Sequence, residues 1–597
     1  MQKSAYIIRA TVVLIILLTG FAVLGSHIYN LQIARHDELL AKARSKYTSS
    51  QTQEGERGLI YDSRGNLLAG NLACKNVLAE PRRFGEERMR ISRILSNVLG
   101  MKQRKLLEKF NTEQIEIPIK RGVDIETAES IAELDLPGIR LVDSTRRYYP
   151  KGMLASNLLG ILNSKGNGVS GIEAKMDTVL KPTTARKIFE RDRQGHELKN
   201  IGTEDSIAHD GGDVYLTIDE PIQSIMEDEL DRMVQEFQPS AAYAVMADPE
   251  TGALLGVAQY PTFNPNIRSA EDMAGGQWQN HFLTKGFEPG SIMKSISIAG
   301  ALDYDAVEMG TVINCENGSW YYGGAMLHDA GHSYGNLRVW QVLQKSSNIG
   351  TAKIGLQLGE GRLYQILRRF GFGRPTGLSP SEASGILRPL DRWDGLSVTR
   401  FPIGQGLLAT PAQIIQAYNA LANQGVMMEL RLIDHIDFPY REKKVYNKPR
   451  VKRRAVRPKT ARQIVAALKQ VPTEEGTAEE AAIEGYKVAG KTGTSQKFID
   501  GTYKSDKYVA SFVGFVPADD PAFVLLVVAD EPSRGGIYGG TVAAPTFRRI
   551  SERTLRYLQV PPNNKQNGKM IKYTKDDKGV KNDGSETTAE LLLGRAG

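Results

Sequence analysis

The sequence predicts an α+β fold behind a single membrane-spanning helix. Two observations carry the fold class. Pairs of apolar strands stand at both ends of residues 207–558, and helical patterns fill the interval between them. A third observation, an uncharged N-terminal run, carries the membrane helix. The length, 597 residues, implies two to four domains beyond it.

Residues 1–9 hold Lys3 and Arg9. Residues 10–34 contain no Asp, Glu, Lys or Arg, and open on "ATVVLIILLTGFAVLG". About twenty apolar residues cross a bilayer core. The end of this stretch, "SHIYNLQIA", is more polar and suits the interface. Arg35 follows in the company of Asp37 and Glu38, so the positive-inside rule puts residues 1–9 in the cytoplasm. Small residues at Val23 to Ser26 resemble a weak cleavage site, but the apolar run is long and a retained anchor is expected. The rest of the chain then lies outside the cytoplasm. That excludes ATP and NAD chemistry and leaves nucleic acid without a place as a partner.

Gly211 to Phe237 reads as a strand, a turn and an amphipathic helix. Ala241 to Pro261 reads as a hairpin about the turn Asp248-Pro249-Glu250-Thr251-Gly252. Tyr508 to Pro532 repeats that pattern with a turn at Pro517 to Pro521, and Pro545 to Leu558 forms a closing helix. From Gln559 to Gly597 the apolar pattern stops, and Lys, Asn, Asp and Gly dominate; this tail is expected to be disordered.

Chemistry concentrates in three motifs. In Phe287-Glu288-Pro289-Gly290-Ser291-Ile292-Met293-Lys294 a serine starts a helix and a lysine follows one turn later on the same face. A serine hydroxyl is a weak nucleophile until a neighbour takes its proton. The second motif is Ser346-Ser347-Asn348, the third Lys491-Thr492-Gly493-Thr494. Each alone reads as a helix end or a turn. In this order they form the pattern of the serine enzymes that β-lactams acylate.

Further segments extend the likeness: "RGLIYDSRGNLLAGN" from Arg57, "RRYYP" from Arg146, "GNGVSGIE" from Gly166, "GQGLLATPAQ" from Gly404 and "YGGTVAAPTF" from Tyr538. With them the chain resembles class B penicillin-binding proteins from the anchor to about Leu558, and most of all the division type, the septal peptidoglycan D,D-transpeptidases. The resemblance implies a pedestal (dimerisation) domain over 35–206 and a transpeptidase domain over 207–558, with a central antiparallel sheet flanked by helices. It implies that Ser291 forms an acyl-enzyme with a stem peptide and that Lys294 is its base. Burial and a nearby charge, for which Lys491 is the candidate, would lower the lysine pKa. Asn348 would orient Lys294 and bind the substrate amide, and Ser346 would relay protons. Gly493 would let substrate backbone approach, Thr492 and Thr494 would meet a substrate carboxylate, and the amides of Ser291 and Thr494 would form an oxyanion hole. A membrane glycan polymerase and division-complex proteins are the implied partners. No cofactor is expected.

Other readings stay open at this point: an elongation-type transpeptidase, a carboxypeptidase or β-lactamase-like hydrolase, a β-lactam sensor, or a scaffold without catalysis. Gly166 to Gly171 matches G-x-G-x-x-G, but is read as a loop entering a helix near Glu173. His328 and His332 could share a helix face, yet no third ligand is evident and no metal is predicted. Cys74 and Cys315 fall in different predicted domains, so a disulfide between them is not favoured. Arg441 to Arg462 holds eleven Lys/Arg against Glu442, enough to account for the +8 charge. It reads as a solvated hairpin or as a contact for an anionic partner.

Overall fold

The computed structural model describes residues 2–191, 197–203, 208–267, 276 and 278–563. Helix α1 (Gln2–Tyr29) continues through a π-turn at Asn30–Ala34. Lys3–Ala34 forms one span of 32 residues with mean hydropathy 2.5, exposed throughout. The helix takes in residues 3–9, set apart in the sequence reading, because nothing there breaks it.

The chain separates into two compact units, 1–56 with 182–211 and 57–181 with 212–597. In the first, Thr48–Glu54, Thr184–Arg191 and Glu197–Thr203 form a three-stranded antiparallel sheet. The units therefore do not follow the division at residue 206. Ile60–Tyr61 pairs in parallel with Asp213–Leu216, and this pairing puts residues 57–181 into one body with the C-terminal part. Ile60, Leu68, Tyr149, Ile172 and Met176 belong to the same buried core as Val214, Ile222 and Leu526. A smaller separate core gathers Val77, Phe84, Ile91, Leu95, Phe110 and Ile131.

The G-x-G-x-x-G stretch is structural. Gly168 N donates to Asp177 Oδ1 at 2.8 Å, and the helix Gly171–Lys175 delivers Glu173 to a buried pair of arginines.

Helix α2 (Glu220–Phe237) starts where the Asp219 side chain accepts from Ile222 N at 3.3 Å, with a proline in its first turn. Its apolar stripe, Ile222, Met226, Leu230, Met233 and Phe237, is buried. Two strands follow as a hairpin, β1 (Ala241–Ala247) and β2 (Leu254–Tyr260). Helix α3 (Met293–Asp303) presents no face to solvent: Met293 to Leu302 are all buried, so it runs through the interior. A small hairpin, β3 (Ser319–Tyr322) and β4 (Ala325–His328), precedes α4 (Val339–Gln344) and α5 (Asn348–Leu358). Helix α6 (Pro411–Ala422) opens on a capping box between Thr410 and Gln413. Strands β5 (Ala489–Ile499), β6 (Thr502–Val516) and β7 (Phe523–Asp530) complete the sheet, and α7 (Ala544–Tyr557) closes the chain.

The sheet order is β2-β1-β7-β6-β5, antiparallel throughout. Every residue of β1 and β7 is buried, as expected of strands covered on both faces. Strand β5, which carries Lys491 to Thr494, is the edge.

Residues 559–563, expected to belong to a disordered tail, are held in the fold. Tyr486 Oη donates to Val560 O at 2.6 Å, Lys487 N donates to Asn563 Oδ1 at 2.9 Å and Asn563 N to Gly485 O at 2.9 Å. These bonds hold residues that lack any apolar pattern of their own; from 564 onward the tail lies outside the described residues.

The basic segment is built into the fold. Lys443–Tyr446 and Val451–Arg454 are strands. Arg457 pairs with Asp303 and Asp305, Lys444 with Asp437, and Lys452 Nζ donates to Thr376 O at 2.7 Å.

Candidate active site

Ser291 sits in a single 3-10 turn, Gly290–Ile292, that runs directly into α3. The α-helix thus begins two residues after the serine. Three bonds from distant elements fix the turn. Ser495 Oγ donates to Glu288 O at 2.7 Å, Gly290 N donates to Gly404 O at 3.2 Å, and the buried Tyr418 hydroxyl donates to Ile292 O at 2.9 Å. Gly290 has φ +57°, and a Cβ there would lie 2.9 Å from Thr494 O. Only glycine lets the serine turn lie this close to β5.

Period-two alternation on β5 puts Lys491, Gly493 and Ser495 on one face and Thr492 and Thr494 on the other. Gly493 is not an opening for a ligand on that first face. A Cβ there would meet Ser511 Oγ, Ile292 Cγ1 at 2.9 Å and Pro289 O at 3.0 Å, so the serine turn itself fills the space. The Thr492 hydroxyl lies 2.9 Å from that of Thr477, and Thr494 Oγ1 accepts from Gly539 N at 3.1 Å.

Ser346 lies between α4 and α5 in the left-handed region, φ +58°. That conformation is strained for a residue other than glycine. It turns the Ser346 carbonyl onto Lys294 Nζ, which also lies 3.2 Å from Ser346 Oγ and donates to Asn348 Oδ1 at 2.7 Å. Lys491 Nζ reaches the same Ser346 Oγ at 2.9 Å and lies 3.3 Å from both Thr492 O and Thr492 Oγ1. Two fully buried lysines therefore converge on one hydroxyl.

Burial lowers the Lys294 ammonium to about 7, against the opposing charge of Asp329. Lys491 is pushed well below the ordinary lysine range, first by burial and then by the charge of Lys294. The charge expected from Lys491 is not what lowers Lys294: burial does that alone, and the repulsion falls on Lys491, second to its own burial. The bonding fits one shared proton. With Ser346 Oγ–H donating to a neutral Lys294, that amine still donates to Ser346 O and Asn348 Oδ1, while Lys491 keeps only acceptors. The Ser291 hydroxyl makes no hydrogen bond among the described residues, so its pairing with Lys294, expected from spacing, is not formed here. Such bonds tighten when substrate binds.

The sequence reading missed Asp329. Its carboxylate is buried and accepts from Ser347 Oγ at 2.9 Å, Asn348 N at 2.6 Å and Ile349 N at 3.0 Å. It thereby caps α5 and sets the Ser346 turn. His328 O accepts from Asn348 Nδ2 at 2.8 Å. His328 ends a strand and His332 lies beyond it, so the two histidines share no helix; no group of three metal-ligating side chains occurs among the described residues. Cys74 and Cys315 are free and buried.

Comparison with known proteins agrees with this geometry. The penicillin binding protein transpeptidase domain matches residues 242–552, and the penicillin-binding protein dimerisation domain matches 52–216. The chain is 33% identical over 570 residues to stage V sporulation protein D of Bacillus subtilis (strain 168), covering 94% of this chain and 88% of that one. This chain belongs to the class B penicillin-binding proteins. As a penicillin-binding protein it is 31% identical over 555 residues to peptidoglycan D,D-transpeptidase FtsI of Escherichia coli (strain K12), covering 92% of this chain and 91% of that one. Penicillin binding protein 3 from Mycobacterium tuberculosis, solved with aztreonam, matches with TM-score 0.68 and 27% identity over 86% of this chain and 98% of that one.

Proposed function

We propose that this chain is a septal peptidoglycan D,D-transpeptidase working through an acyl-enzyme on Ser291. The observation that carries the reading is the pair of buried lysines meeting at Ser346 Oγ beside the serine turn. Lys294 in its neutral form takes the Ser291 proton as the hydroxyl attacks the carbonyl of the terminal D-Ala-D-Ala bond. The amides of Ser291 and Thr494 hold the developing oxyanion, where one donor contributes about 3–4 kcal/mol of barrier lowering. Ser346 passes a proton from the lysine pair to the departing D-alanine amine. The amine of a second stem peptide then attacks the ester, returns its proton through Lys294 and closes the cross-link. Asn348 orients Lys294 and binds the substrate amide. The hydroxyls of Thr492 and Thr494 meet the terminal carboxylate. A β-lactam acylates the same serine and leaves slowly.

The apolar helix Lys3–Ala34 anchors the protein, and the charges about it support a cytoplasmic N-terminus with the rest of the chain in the extracytoplasmic space. In this reading residues 35–206 serve as pedestal and 207–558 as the catalytic part, with 57–181 packed into the same body as the latter. A membrane glycan polymerase and division proteins are its partners in this reading. Fluorescent penicillin tests the chemistry: wild type labels covalently and Ser291→Ala does not; equal labelling of the variant overturns the nucleophile. Depletion tests the cellular role, with filaments expected and spheres assigning the enzyme to elongation.

A further inference from the structure

Arg400 stands four residues before Gly404, whose carbonyl accepts from Gly290 N in the serine turn. It closes the short helix Ser397–Arg400, and the chain then turns through Phe401–Ile403 to Gly404, which holds Gly290. On one side Arg400 Nη2 donates to Met326 O at 3.4 Å, on the strand whose His328 carbonyl holds Asn348. On the other side is Tyr503 of β6, near enough to feel its charge; the Tyr503 hydroxyl donates to Glu288 Oε1 at 3.2 Å. Arg400 thus lies between the wall that carries Asn348 and the hairpin that runs past the serine turn. Phe498 and Tyr503 of that hairpin are exposed, with ring centroids 5.1 Å apart.

A guanidinium has five N–H donors, and here one makes a single long bond to a carbonyl. Among the described residues Arg400 has no acidic partner, although it is partly buried. Its neighbour Arg388 shows what a structural arginine looks like in this loop: it lies over the Phe401 ring, donates to Ser397 Oγ and faces Asp394. A partly buried cation without an anion costs folding free energy, and a site tolerates it where a ligand brings the anion.

We propose that Arg400 binds a free carboxylate on the acyl-donor side of the substrate, upstream of the bond that Ser291 attacks, and so determines donor specificity. The inference rests on the transpeptidase reading above. Forked donors suit a carboxylate, and the exposed rings of Phe498 and Tyr503 offer the aliphatic part of the same side chain a surface.

The test uses the full-length protein in detergent and two penicillins that differ by one group, benzylpenicillin and its α-carboxy derivative. The quantity read is the ratio of their second-order acylation rates. Both are measured on the same variant, so a general loss of folded protein cancels. Arg400→Gln should lower the carboxylated-to-neutral ratio about tenfold or more. Arg400→Lys should keep most of it, and Arg400→Glu should favour the α-amino derivative instead. A ratio unchanged in Arg400→Gln, with Ser291 still labelling, overturns the assignment of Arg400 alone. Failure of both penicillins to acylate wild type overturns the reading of the site beneath it.

Discussion

Two groups of buried charge lie in the same compact unit and follow opposite rules. Around Glu173 every charge has an opposite: Arg57 Nη2 at 2.7 Å, Arg147 Nε at 2.6 Å, and Asp177 answering Arg57 at 2.8 Å. Around Lys294 and Lys491 two buried amines that share one proton face neutral oxygens, and the described residues place no ion pair on either. The first arrangement joins Arg57, the strand of Arg147 and the helix of Glu173 into one piece. The second leaves its cation short of solvation, which makes a lysine give up its proton near neutral pH. Burial serves architecture where charges are matched, and reactivity where they are not.

The contrast can be broken from either end. Lys294→Met should cut penicillin acylation about 100- to 10,000-fold, measured as label incorporated over time, because a base in place is worth that much. The same variant should melt no lower than wild type, since a buried methionine replaces an unmatched amine; a fall of several degrees would show that the lysine holds the fold. Glu173→Ala should do the reverse. It strands two arginines and should lower the unfolding free energy by about 3–5 kcal/mol in a urea titration, while the protein that remains folded still labels.

The smallest effect is in pH. Both lysines sit below their unfolded value, so between about 7 and 10.4 the unfolded chain binds more protons than the folded one. Stability contributed by these groups therefore rises with pH across that window. The urea midpoint of wild type should gain on that of Lys294→Met from pH 7 to pH 9, and acylation should rise through about pH 7. A wild-type midpoint that fails to gain on that of Lys294→Met as pH rises would mean that Lys294 stays charged in the fold.

The strand pairs, α2, the closing helix and the membrane helix were legible because each repeats a local period. The three motifs were legible because spacing and order are written in the chain. What was not legible depends on contacts between distant segments. Asp329 looked like a spacer between two histidines, and its role follows only once β4 meets the start of α5. The space at Gly493 looked open, and it is filled by the serine turn. The pairing of Ile60–Tyr61 with Asp213–Leu216, which unites the pedestal base with the catalytic body, has no local signal at all.

The left-handed backbone at Ser346 narrows the routes open to a lineage under drug selection. Threonine would keep the hydroxyl, but a branched Cβ is a true outlier at that φ. Glycine and asparagine accept the backbone and discard the hydroxyl. Neither the chemically nor the sterically conservative neighbour keeps both properties, so adaptation has to come from residues around this position while Ser346 itself stays fixed.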